Sequence, residues 1–190
     1  MMTPKSLLRH KLAVSSRADF VGQGHFKRIL SDLAPPPAGT AKRLVLCSGK
    51  IGYELMEARD GAVAEGAPAD TEIVRIEQLY PFPSEPLVKR LQALSGLTDF
   101  VWAQEEPKNN GAWHFVADLL SCCLAEAGHG ALSPRYAGRA PSASPATGLA
   151  KRHVAEQAAL IADALGHRAA APAAAEAAVE TVQKAGKAGS

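Results

Sequence analysis

The sequence has no apolar run near the roughly 20 residues that span a bilayer. Its opening residues, Met1-Met2-Thr3-Pro4-Lys5, contain no apolar core of an export signal. A soluble, cytoplasmic protein without a membrane partner is therefore expected. Cysteine is scarce: only Cys47, Cys122 and Cys123 are present, two of them adjacent and none in a C-x-x-C pair. An odd, poorly spaced set speaks against both a disulfide scaffold and a zinc site, and predicts reduced thiols. No pair of histidines among His10, His25, His114, His129, His153 and His167 has metal-ligand spacing. No serine or cysteine sits in a nucleophile elbow. Neither a catalytic residue nor a metal ligand is expected. A net charge of +2, with no basic run interleaved with aromatics, excludes a nucleic-acid partner on electrostatic grounds.

What is present is a normal globular composition, 47% hydrophobic and 21% charged over 190 residues. That length suits one domain with a real core. Residues 1–41 read as an arm that needs a neighbouring surface, with short elements at 6–9 and 26–33, closed by the linker Ala34-Pro35-Pro36-Pro37-Ala38-Gly39. From 42 to 166 short apolar runs alternate with helical periodicity. Strands are predicted at 43–47, 72–76, 99–103 and 132–136. Helices are predicted from Ile51 to Ala62, from a Ser84 cap through Leu94, over 112–127, and along a stripe of Leu149, Val154, Ala158, Ile161 and Leu165. Alternating strands and helices predict an α/β fold, a mostly parallel sheet covered on both faces. From 167 the composition turns to Ala, Pro, Glu, Lys and Gly, and a disordered tail is expected.

Parallel sheets present ligands or partners at the carboxyl ends of their strands, where this sequence places three polar segments. Ser48-Gly49-Lys50 follows a strand and opens a helix, so free N–H groups there can hold an anion; a tight turn with Lys50 in a surface ion pair is the competing reading. Glu105 and Glu106 are neighbours, and neighbours on a strand point to opposite faces, so they do not make an acid–base pair; a structural or interface role fits better. Trp113 follows the turn Lys108-Asn109-Asn110-Gly111 and is read as core or subunit interface. Arg139 is a candidate for holding a carboxylate or phosphate, or for an interface. His153 is read as a packing histidine beside the last stripe.

Several phrases carry more than composition. Thr3-Pro4-Lys5-Ser6-Leu7-Leu8-Arg9-His10, then Cys47-Ser48-Gly49-Lys50, Ile76-Glu77-Gln78-Leu79-Tyr80-Pro81-Phe82-Pro83, Gln104-Glu105-Glu106-Pro107-Lys108-Asn109-Asn110-Gly111-Ala112-Trp113, Arg135-Tyr136-Ala137-Gly138-Arg139 and Ser142-Ala143-Ser144-Pro145-Ala146-Thr147-Gly148 occur in this order. Together they resemble the C-terminal domain of the thiamine-dependent first component of 2-oxoglutarate dehydrogenase, in register from about Thr3 to Leu165. The family usually has two aromatics where Gly52-Tyr53 stand and glutamine where Asn110 stands. It has proline then a small residue at Ala140-Pro141.

The resemblance implies a transketolase C-terminal-type, three-layer α/β/α sandwich that helps to build a homodimer. It implies that the full enzyme uses thiamine diphosphate and magnesium, held by upstream domains that this chain lacks, to decarboxylate 2-oxoglutarate. The succinyl group then passes to a lipoyl arm, with dihydrolipoyl succinyltransferase and dihydrolipoyl dehydrogenase as partners in the tricarboxylic acid cycle. The chain is expected to bind no cofactor alone and to serve as a structural and dimerisation domain. The alternative is a stand-alone or regulatory effector module. Some actinobacterial relatives respond to acetyl-CoA, and Arg17, Lys27, Arg28 and Lys50 would meet the phosphates of such an anionic nucleotide.

Overall fold

The computed structural model describes residues 4–22 and 24–167. Five strands form one sheet in the order β1-β3-β2-β4-β5. They are β1 (Ile29–Leu30), β2 (Arg43–Cys47), β3 (Thr71–Ile76), β4 (Asp99–Gln104) and β5 (Arg135–Gly138). All adjacent pairs are parallel except the two-residue β1, which runs antiparallel along β3. The helices are α1 (Ile51–Ala64), α2 (Ser84–Gln92), α3 (Trp113–Glu126) and α4 (Ala150–Leu165).

Successive strand residues face opposite sides of a sheet, and here both sides are apolar, as a doubly covered parallel sheet requires. Leu44, Leu46, Val74, Ile76, Phe100 and Trp102 share one core with Leu87 and Leu91 of α2 and Val116 and Leu120 of α3. Val45, Cys47, Ile73, Val101 and Ala103 form the other with Ile51 and Leu55 of α1 and Leu160 and Ala164 of α4. The register stacks like on like: Val45 lies between Ile73 and Val101, and Leu46 between Val74 and Trp102. The mostly parallel, doubly covered sheet expected from the alternation is observed, and with it the three-layer α/β/α sandwich that the resemblance implied.

Three local expectations are corrected. The last strand starts at Arg135, three residues later than the apolar run suggested, because Pro134 has no N–H to give to the ladder. Ser84 is the first residue of α2 and not its cap; Pro83 occupies the cap position and no side chain bonds there. In α4 the buried side chains are Gln157, Leu160, Ala164 and Leu165, while Leu149 and Val154 face solvent. The helix is turned so that Gln157, and not Val154, meets the sheet.

Two 3-10 turns, Lys5–Arg9 and Arg17–Phe20, contain no buried residue. His10 lies beside Glu57 and Tyr53 of α1, Leu12 packs against the core on that face, and the backbone joins the sheet at β1, where the Arg28 carbonyl accepts from the N–H groups of Glu77 and Gln78 at 2.9 and 3.2 Å. Asp32 then anchors it. Its buried carboxylate accepts from the amides of Ile73 and Ala34 at 2.8 and 3.0 Å and is ion-paired to Arg59 of α1. The Ala-rich tail, from Arg168 on, lies outside the described residues.

Candidate functional site

The order of β3, β2 and β4 makes the carboxyl ends of β2 and β4 the switch point of the sheet, where the chain leaves in opposite directions. Ligands of open α/β sheets bind at this position. The Ser48-Gly49-Lys50 turn stands there, with Gly49 at φ +74°, a left-handed conformation suited to glycine. Lys50 does not face open space. It is ion-paired with Glu54 one helical turn on, and its Nζ lies 3.2 Å from Glu105. Burial opposes the charge of Lys50, but its bond to Glu54 and the field of Glu105 prevail and raise its pKa above the ordinary value.

Gln157 of α4 closes the group, its amide donating to Glu54 at 2.7 Å and Glu105 at 3.1 Å. Its carbonyl oxygen accepts from Arg139 at 3.1 Å. Arg139 also bonds His153 Nδ1 at 2.9 Å and lies 3.4 Å from Glu156. Lys50 and Arg139, proposed from sequence as separate anion contacts, thus belong to one network in which carboxylates of the chain already supply the negative charge. His153 is exposed and held by Arg139, not packed beside an apolar stripe.

β4 ends at Gln104, so the two glutamates lie in the bend after the strand and not on it, and the bend separates them. Glu105 turns in to Lys50, whereas Glu106 is exposed and its carbonyl accepts from Gln104. The following turn is built by Gln104, a buried residue that sequence reasoning passed over. Its Oε1 accepts from the Trp102 indole at 3.0 Å and from the Trp113 amide at 3.1 Å. Its Nε2 donates to the carbonyls of Glu106 and Pro107, both at 3.2 Å. Trp113 is half-buried, tilted against Tyr136 with centroids 5.4 Å apart, with Lys108 over both rings. Burial pushes the Tyr136 phenol up to about 12, so it stays a donor, to the Arg139 carbonyl at 2.9 Å.

The arm cations are placed elsewhere. Lys27 is bound to Asp19 at 2.7 Å, and Arg17 and Arg28 are exposed. At one departure from the family pattern, a Cβ on Gly52 would lie 2.4 Å from the Arg75 side chain and 3.3 Å from Cys47 Sγ. Arg75 uses that space to lie over Tyr53, 4.3 Å from the ring centre. Among the described residues no three His, Cys, Asp or Glu side chains are grouped as a metal ion would need, and no helix is long and apolar enough to cross a membrane.

The family model of the 2-oxoglutarate dehydrogenase C-terminal region matches residues 14–165. The 2-oxoglutarate dehydrogenase E1 components of Brucella ovis and Brucella canis are each 44% identical to this chain over 175 residues. The match covers 87% of this chain and 17% of each relative. Switch-point turn, Gln104 hub and C-terminal helix all fall within the matched stretch, and the chain belongs to the 2-oxoglutarate dehydrogenase C-terminal family.

Proposed function

We propose that this chain is the structural and dimerisation domain of a 2-oxoglutarate dehydrogenase first component and performs no chemistry by itself. The observation that carries this reading is the switch-point crevice. The place where an α/β sheet would receive a ligand is filled by the Lys50, Glu54, Glu105, Gln157 and Arg139 network. Such a network rigidifies the strand ends when its members are satisfied. Its exposed neighbour Glu106 is then free to meet an adjoining protein surface, beside a Trp113 that packs partly buried against the core. In this reading thiamine diphosphate and magnesium bind the upstream domains. There 2-oxoglutarate is decarboxylated and the succinyl group leaves for the lipoyl arm of dihydrolipoyl succinyltransferase, later reoxidised by dihydrolipoyl dehydrogenase. The second subunit of the homodimer is the other partner, and the setting is the cytoplasm.

Calorimetric titration of the isolated chain tests this. Thiamine diphosphate with magnesium is expected to give no binding heat, and stoichiometric tight binding would sink the proposal. Acetyl-CoA run in parallel addresses the effector reading. Saturable binding that disappears in Lys50→Ala would make the chain a regulatory module instead.

A further inference from the structure

We draw no further inference here: the strongest candidate, the cavity at the amino end of α4 lined by Arg139, Ser142, Thr147, Arg152 and Glu156, carries nothing, because Arg139 is already held by His153, Gln157 and Glu156 and what is left is a helix N-terminus with no second sign of a ligand.

Discussion

At the scale of single residues, Gln104 shows how one amide can hold a whole turn. Its two carbonyl acceptors depend on it less: Pro107 also accepts from the Asn110 amide at 2.8 Å, and the Glu106 carbonyl is exposed to solvent and lies 3.3 Å from the Tyr136 hydroxyl, whose one proton it shares with the Arg139 carbonyl. The Trp102 indole and the Trp113 amide depend on Gln104 Oε1. Replacing Gln104 with leucine keeps much of the volume but orphans both donors. A buried unsatisfied donor costs about 1–3 kcal/mol, so Gln104→Leu is expected to lose roughly 3 kcal/mol. Urea denaturation checks this, and a loss under about 1 kcal/mol would show that the donors find water instead. Gly111 belongs to the same device, since a Cβ there would lie 2.2 Å from Gln104 Nε2.

Among the elements, the Pro-rich linker is the one whose attachment is least expected from its own composition. Asp32 has a side chain with 0% exposure and Arg59 one with 6%, and together they tie the linker to α1. The Arg59 guanidinium also reaches the Thr71 carbonyl at 3.3 Å, at the start of β3. Burial opposes the charge on Arg59, but the bond to Asp32 outweighs it and raises its pKa. Breaking such a pair from one side leaves a buried carboxylate with only two amide donors. Arg59→Met should therefore destabilise by about 3–5 kcal/mol, and adding Asp32→Asn should recover part of it. A double variant no more stable than Arg59→Met would mean that packing of the arginine stem, not its charge, is what matters there.

For the molecule as a whole, a second ionic network at the amino ends of the strands joins sheet and α4. Asp99 of β4 accepts from Arg43 of β2 at 2.7 Å and lies 3.5 Å from Arg135 of β5. Arg43 also donates to the Leu165 carbonyl, and Arg135 to Asp163 at 2.9 Å, both at the end of α4. Burial opposes the ionisation of Asp99, yet the bond from Arg43 and the charge of Arg135 prevail and hold its carboxyl below the usual range. The folded state thus binds this proton less readily than the unfolded chain. Its stabilising contribution is present above the unfolded value, about 3.9, and is lost as pH falls through the depressed folded value. Asp99→Asn is expected to lower the urea midpoint at neutral pH, with the gap to the parent chain closing below about pH 4. A gap that is constant with pH would assign the loss to geometry and not to charge.

The α/β class, the two-sided burial of the sheet and most element positions were legible in the sequence. They follow from local periodicity: a run such as Arg43–Cys47 can satisfy itself only inside a doubly covered sheet. The family phrases were legible for the same reason, since they are local strings. The rotation of α4, the anchoring of the linker and the partners of Lys50 and Arg139 were not. Each depends on residues far apart in sequence, Gln157 with Glu54 and Glu105, Arg59 with Asp32, Arg139 with His153. No periodicity encodes which buried polar group will find which partner, because that choice is made by the packing that brings the layers together. The sequence by itself determined a helix-covered parallel sheet of known family, and only the tertiary structure decided which charged groups meet at its strand ends, because that pairing is made by the packing of distant segments.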